Sequence, residues 1–392
     1  MNNRSSDDAA LQTELLTILT DLIALRSDYP PGDTGPICAY AAGRLERAGY
    51  GVDTHTDVDP FVNIVARMGS GHPRIVFNAH ADTVAVDEPE AWESDPYRAE
   101  VRDRRLYGLG AANCKASMAV QIWLAEALAA SGAADDTGEI VFTFVGDEEA
   151  LGPNGMGYLR KAGLVEPDVL VFGATTDNQL IIAERGVLWV RISTFGRSAH
   201  AGDPSAGDNA IERMMRLLGV LDRELGPRLA QRRDGEMAST TNTGVIHGGH
   251  NTNAVPSRCT VEIDRRLLPD EDMTDAFEEI AGILEGAGEP RESYTAEMLL
   301  GSNGFKVSSD SRAVDAFRAA IEARTGAPAV FCNAMGVSDG RHFAADGIDI
   351  VGFGPGAGNE GHAANESVAV AQLVDAALIC KDAVERLLAR DR

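Results

Sequence analysis

Short apolar segments of strand length alternate with helix-length amphipathic segments along most of this 392-residue chain. Residues 139–145, Glu-Ile-Val-Phe-Thr-Phe-Val, are rich in β-branched and aromatic side chains and predict a buried strand. Such alternation favours an α/β fold with a parallel or mixed sheet, in which loops at the strand ends carry the function. The same patterns predict strands at 63–67, 74–77, 168–173 and 348–353, and helices at 7–26, 35–48, from 115 onward, 311–325 and 367–388.

The pattern changes after the first 186 residues. Residues 188–194 and 259–264 alternate apolar and polar side chains, which is typical of a sheet with one exposed face. A length of 392 residues also favours two domains. We therefore expect one α/β domain formed by residues 1–186 and 302–392, with an α+β domain inserted at 187–301.

Composition argues against several classes of partner and location. The net charge of −25 predicts a protein that nucleic acid and anionic membranes repel. No apolar window is long enough to span a membrane, and residues 1–10 lack the basic start and apolar core of a signal peptide. Five widely spaced cysteines without a Cys-x-x-Cys pair favour a reducing cytoplasm over a disulfide framework.

Three adjacent carboxylates, Asp147, Glu148 and Glu149, follow the predicted strand at 139–145. Like charges at a buried strand end are costly unless a cation or a proton joins them. A solvated acidic turn is the plainer interpretation of such a cluster taken alone. Residues elsewhere in the chain decide between the two interpretations.

Two histidines follow other predicted strands. His80 lies two residues before Asp82, and His362 lies in a glycine-rich loop near the end of the chain. Either histidine alone is more often structural than metal-binding. Because both follow strands of one predicted sheet, as Glu149 does, they favour the His, His and carboxylate ligand set of a hydrolytic metal site.

Further short motifs recur in a fixed order along the chain. They are Asn-Ala-His-Ala-Asp-Thr-Val at 78–84, Leu-Tyr-Gly-Leu-Gly-Ala-Ala-Asn-Cys-Lys at 106–115, Asp-Glu-Glu at 147–149, Gly-Arg-Ser-Ala-His at 196–200, Asn-Ala-Val-Pro at 253–256, Asp-Arg-Arg at 264–266, Ser-Asp-Gly-Arg at 338–341, and Gly-Pro-Gly at 354–356 before His362 and Glu366. In order and spacing the chain resembles the dinuclear-zinc metallopeptidase and amidohydrolase family of aminoacylase, acetylornithine deacetylase, succinyl-diaminopimelate desuccinylase and glutamate carboxypeptidase. The resemblance covers nearly the whole chain.

That resemblance implies a catalytic α/β/α sandwich with a mixed sheet, and an inserted α+β lid through which two chains dimerise. It implies that Glu148 is the general base and acid, and that Asp82 orients a metal-ligating His80. Glu149 and His362 would bind a second metal.

The resemblance also implies roles in the lid. His200 would stabilise the developing oxyanion, acting across a homodimer. Asn253 and Arg266 of the lid, with Arg341 of the catalytic domain, would hold a substrate carboxylate, which an amide and a planar guanidinium can bind in a paired geometry. A surface loop and a solvated strand are the plainer interpretation of the lid motifs.

Two positions depart from the family pattern. Asn113 stands where the family places a carboxylate that bridges both metals, and an amide oxygen is a weaker, neutral ligand. Ala174 stands where the family has another ligating carboxylate, and Asp177 is an alternative only if its turn reorganises. The sequence therefore favours one divalent ion, zinc or manganese, over two, and leaves a metal-free site open. Cys114, beside Asn113, is interpreted as a small buried filler rather than a nucleophile.

These inferences predict a metal-dependent hydrolase of a C–N bond in a small carboxylate-bearing substrate, such as an N-acyl amino acid. One alternative is an aminohydrolase that removes an amino group from an activated amino-carboxylate, which can be aromatic. An alternative of another class is a catalytically inactive relative that serves in binding or assembly, because two ligand positions are replaced. The retained acid–base and oxyanion residues favour an enzyme.

Overall fold

The computed structural model describes residues 2–132, 138–334 and 336–389, with side chains from residue 7 onward. The chain forms two compact units. The first unit comprises Met1–Ile182, Val307–Cys332 and Ser338–Arg392, and the second comprises Ala183–Lys306 and Asn333–Val337. The predicted insertion at 187–301 lies inside the second unit, which also includes the short segment Asn333–Val337 that the sequence did not indicate.

The helices and strands follow one another along the whole chain. The helices are α1 (Asn2–Ala24), α2 (Gly35–Arg47), α3 (Lys115–Ser131), α4 (Met156–Lys161), α5 (Ala210–Leu229), α6 (Met273–Glu285), α7 (Arg312–Thr325) and α8 (Val370–Leu388). The strands are β1 (Asp28–Tyr29), β2 (Gly51–His55), β3 (Asn63–Gly69), β4 (Arg74–His80), β5 (Thr83–Val84), β6 (Glu100–Arg102), β7 (Arg105–Tyr107), β8 (Glu139–Val145), β9 (Val169–Gly173), β10 (Leu180–Glu184), β11 (Gly186–Phe195), β12 (Arg233–Asp234), β13 (Met237–Ala238), β14 (Thr240–Gly248), β15 (Arg258–Leu267), β16 (Tyr294–Ser302), β17 (Phe305–Lys306), β18 (Phe331–Ala334), β19 (Asp349–Phe353) and β20 (Ser367–Ala369).

A mixed sheet forms the centre of the first unit, as predicted. Seven of its strands lie in the order β10-β19-β9-β4-β8-β3-β2. The four strands β19, β9, β4 and β8 are parallel to one another, whereas β10, β3 and β2 pair antiparallel with their neighbours. The carboxyl ends of the four parallel strands therefore meet at one edge of the sheet.

One hydrophobic core joins this sheet to its helices. Every residue of β8 is buried, and the core also takes in apolar side chains from α1, α2, α3, α7 and α8. Helix α3 is buried over most of its length, which explains why its sequence is apolar on nearly all sides. No helix in the described ranges is both long and apolar enough to cross a membrane.

The second unit has an antiparallel sheet of its own. Its strands lie in the order β14-β15-β11-β16. Buried and less buried residues alternate along β15, because one face of the sheet packs against α5 and α6 while the other does not. The predicted α+β class of this unit is confirmed.

Two short strands correct the sequence interpretation. A single helix was expected at 367–388. Instead, β7 pairs with β20 (Ser367–Tyr107, Val368–Leu106 and Ala369–Arg105), and α8 begins only at Val370. Three-residue strands have too little sequence pattern to be recognised, and these two partners lie far apart in the chain.

Candidate active site

The loops that follow β4 and β8 begin side by side. His80, the last residue of β4, is in register with Val145, the last residue of β8. Gly146 then donates its N–H to the Asn63 side chain at 3.0 Å. Asp147 adopts a left-handed backbone with φ of 64°, and its carboxylate accepts the Asn154 N–H at 3.0 Å. These contacts fix the turn that presents the next two residues, Glu148 and Glu149.

His80 is held between hydrogen-bond acceptors at both ring nitrogens. Nδ1 lies 2.9 Å from the backbone oxygen of Asp82, and Nε2 lies 3.3 Å from Oδ1 of Asn113. Nε2 is also 3.8 Å from a carboxylate oxygen of Glu148. Asp82 therefore contacts His80 through its backbone oxygen, while its carboxylate accepts the Glu149 N–H at 3.1 Å.

Asn113 lies between the other candidate ligands. Its Nδ2 donates to Glu149 at 2.9 Å and lies 3.0 Å from Nε2 of His362. Glu149 and His362 are themselves 3.0 Å apart. Loops after β4, β8 and β19 and the loop before α3 thus bring His80, Asn113, Glu149 and His362 together at one edge of the sheet.

The electrostatics of the cluster follow from its burial. Burial raises the pKa of Glu148 to about 8; His80 opposes this shift, and the charges of Glu149, Asp339 and Asp82 add to it. Burial alone would lower the pKa of His80, but proximity to Glu148 and to the Cys114 thiol raises it well above 6.5. The cluster therefore holds protons at neutral pH that a bound cation would displace.

Comparison with known proteins identifies the family. The model of peptidase family M20/M25/M40 matches residues 76–386. The chain belongs to this family. It is 29% identical to the protein YgeY of Escherichia coli K12, over 93% of this chain and 92% of that one. It is also 29% identical to the succinyl-diaminopimelate desuccinylase of Methylorubrum extorquens, over 87% and 91%. An M20 family metallo-carboxypeptidase from Sulfolobus solfataricus shares the fold, with a TM-score of 0.78 at 18% identity over 96% and 99% of the two chains.

Membership confirms the predicted enzyme class: the protein is a hydrolase that acts on C–N bonds. M20 enzymes bind divalent metals, so the site can be tested for fit. His80, Glu148 and Glu149 each offer a ligand atom within 4.8 Å of the others. This donor set, with His362 beside Glu149, fits a divalent ion.

The two positions that the resemblance compared with metal ligands, Asn113 and Ala174, offer little to a second ion. Ala174 carries no donor atom, and Asn113 turns its NH₂ group rather than its oxygen toward Glu149 and His362. Asp177 does not fill the gap in this structure. Its carboxylate accepts a hydrogen bond from Gln372 at 2.7 Å and is exposed in its turn.

Arg341 lies in a short 3₁₀ helix, Asp339–Phe343, of the first unit. Asp339 accepts a hydrogen bond from Asn78 of β4 at 2.9 Å, which fixes this helix to the strand that ends at His80. Arg341 is 9% exposed, and Nη1 donates to the Ser338 backbone oxygen at 3.2 Å. Its Nη2 is buried without a hydrogen-bond partner among the described residues.

The remaining predicted site residues belong to the second unit. His200 is exposed and accepts the Gly202 N–H at 2.9 Å. Asn253 is also exposed and lies beside it, because the Ala201 N–H donates to the Asn253 backbone oxygen at 2.9 Å. Arg266, on β15, donates to Asp264 at 2.9 Å. Their roles toward a substrate stay predictions.

Sequence reasoning assigned no role to Glu366, which is 2% exposed. Its carboxylate accepts three backbone N–H groups from the loop that carries Asn113. The sequence feature that could have drawn attention to Glu366 was its position four residues after the candidate ligand His362. Nothing in the local pattern revealed a partner more than 250 positions earlier in the chain.

Proposed function

We propose that this M20 enzyme uses one divalent ion, zinc or manganese, to hydrolyse a C–N bond in a small carboxylate-bearing substrate such as an N-acyl amino acid. The observation that carries the proposal is the position of Glu148, whose side chain is 13% exposed and whose carboxylate lies 3.8 Å from His80. Glu149 follows it in the chain and lies 3.0 Å from His362. A proton carrier therefore lies beside a ligand set large enough for one ion.

The chemistry divides between the ion and the chain. His80, Glu149 and His362 would hold the ion, which when bound polarises a carbonyl and acidifies water. Glu148 takes a proton from the attacking water and gives it to the leaving nitrogen. The bound ion favours the ionised form of Glu148, which can accept the proton, while burial raises the pKa of this carboxyl and keeps it basic.

Arg341 supports the carboxylate-bearing substrate class. A buried guanidinium with an unpartnered Nη2 is costly, and a substrate carboxylate would supply the missing acceptor. Asn253 and Arg266 of the second unit are proposed to bind the same class of group, with His200 stabilising the oxyanion.

A homodimer formed through the second unit is part of this proposal. Strand β14 is at the edge of its sheet, and all nine of its residues are exposed. It carries the apolar side chains of Val245 and Ile246, which are 37% and 57% exposed. A long exposed edge strand of this kind pairs readily with a second copy. The predicted cytoplasmic location, and the predicted lack of nucleic-acid and membrane partners, stay predictions.

Glu148→Gln, assayed on a panel of N-acyl amino acids with added Zn²⁺ or Mn²⁺, tests the proposal. We expect kcat to fall about 10²- to 10⁴-fold with little change in KM. Glu46→Gln, an exposed change on α2, is the matched control and should keep wild-type turnover. Wild-type rates in Glu148→Gln would refute the assigned role. Ammonia released by the wild type from an aromatic amino-carboxylate, with no turnover of the N-acyl panel, would favour the aminohydrolase alternative.

A further inference from the structure

Glu366 links two loops that carry candidate ligands. It lies four residues after His362 and immediately before β20, while Asn113 lies in the loop between β7 and α3. β20 pairs with β7, and Ser367 lies opposite Tyr107. The loop that follows β7 and the loop that precedes β20 are therefore attached to the same small sheet. The backbone oxygen of Glu366 extends this pairing by accepting the Gly108 N–H at 3.1 Å.

The Glu366 carboxylate then accepts the next free N–H groups of the same loop. Oε2 accepts from Gly110 at 2.9 Å, and Oε1 accepts from Ala112 at 2.8 Å and from Asn113 at 2.7 Å. Converging backbone N–H groups form a concave anion site, and here a side chain of the chain itself occupies it. Hydrogen bonds to an ionised acceptor are the stronger kind, and burial strengthens them further.

We propose that Glu366 is a positioning residue of the active site, which fixes Asn113 and His362 against Glu149 by binding the backbone of residues 110–113. The side chain of Asn113 contacts His80, Glu149 and His362. A shift of the Asn113 backbone would therefore displace all three contacts. The proposal rests on the proposed metal-dependent function. It adds that the geometry of the ligand cluster is set by one carboxylate that binds neither ion nor substrate.

Glu366→Gln tests this directly, because glutamine has one acceptor oxygen and turns an NH₂ group toward N–H donors. Hydrogen–deuterium exchange of the peptide covering residues 108–114 should accelerate by about tenfold or more. Zn²⁺ affinity, measured by competition with a chromogenic chelator, should fall about 10- to 100-fold, as for other residues that orient metal ligands. The fall in kcat should exceed any change in KM.

Glu360→Gln is the matched control, since Glu360 lies in the same loop but pairs with Arg105. It should leave the exchange of residues 108–114 and Zn²⁺ affinity unchanged. Unchanged exchange in Glu366→Gln, or faster exchange with wild-type Zn²⁺ affinity, would overturn the proposal. If Glu366→Gln does not fold, Glu366→Asp, which keeps the charge but shortens the reach, should show the same two changes to a smaller extent. Neither measurement uses a substrate, so failure of the proposed activity would be seen separately.

Discussion

Metal binding should release protons held by the neighbouring Glu148 and His80, and Glu148→Gln removes one partner of that pair. Burial raises the pKa of Glu148 to about 8, so in the ion-free protein its carboxyl favours the protonated form at pH 7 and the ionised form at pH 9. A cation beside Glu148 favours the ionised form and expels the proton. The wild-type protein should therefore release more protons per ion than Glu148→Gln at pH 7, and the difference should shrink by pH 9.

His80 contributes to this release in the wild type. Its ring nitrogens lie near acceptors, and although burial lowers its pKa, the neighbouring Glu148 charge is the main cause that raises this pKa well above 6.5. The proton is therefore shared by the pair, and Glu148→Gln should weaken its hold on His80 as well. The apparent affinity for Zn²⁺ should thus rise with pH, by about tenfold per pH unit for each proton released. The wild-type slope should be steeper than that of Glu148→Gln near pH 7, and the two slopes should converge toward alkaline pH.

Titration calorimetry of Zn²⁺ in two buffers of different ionisation enthalpy measures the protons released per ion. Glu46→Gln, with its exposed carboxyl, should release as many protons as the wild type. Equal release by the wild type and Glu148→Gln at pH 7 would show that Glu148 and His80 hold no extra proton there. That result would refute the argument that burial and proximity load the pair with a proton.

Three further predictions concern single positions. Asn113→Asp should raise Zn²⁺ affinity by about tenfold or more, since a carboxylate replaces the amide beside Glu149. If chelator competition gives the wild-type Zn²⁺ affinity for this variant, the amide at position 113 is not what limits metal binding. Arg341→Lys should raise KM for a carboxylate substrate about tenfold with little change in kcat, because an ammonium cannot bind in a paired geometry; equal KM values would exclude Arg341 from substrate binding. Ile246→Asp, on the exposed edge strand β14, should shift sedimentation from dimer toward monomer; a dimer that persists would place the interface elsewhere.

The central sheet was largely predictable because its signal is local. Strand β8 covers residues 139–145 as expected, since every one of its residues is buried and apolar runs of this length mark such strands. The placement of His80, Glu149 and His362 at one sheet edge followed from the parallel order of the strands that precede them. This part of the site required no knowledge of distant contacts.

What was missed depends on contacts between distant residues. Strand β14, Thr-Thr-Asn-Thr-Gly-Val-Ile-His-Gly, is mostly polar and exposed, so its strand structure comes from pairing with β15 rather than from an apolar pattern. The sequence also did not indicate that His80 Nδ1 would lie nearer to the backbone oxygen of Asp82, at 2.9 Å, than to its carboxylate, at 3.6 Å. The hydrogen bonds that Glu366 accepts from residues 110–113 join positions more than 250 residues apart in the chain, so no local sequence pattern predicts them.

The number of ions per chain tests the central claim most directly. Protein purified without added metal, and then equilibrated with a slight excess of Zn²⁺ or Mn²⁺ and desalted, is measured by elemental analysis alongside its turnover of N-acyl amino acids. The proposed ligands His80, Glu149 and His362, with Ala174 lacking a ligand atom, predict about one ion per chain in the active protein. Two ions per chain, or full turnover with none, would contradict it.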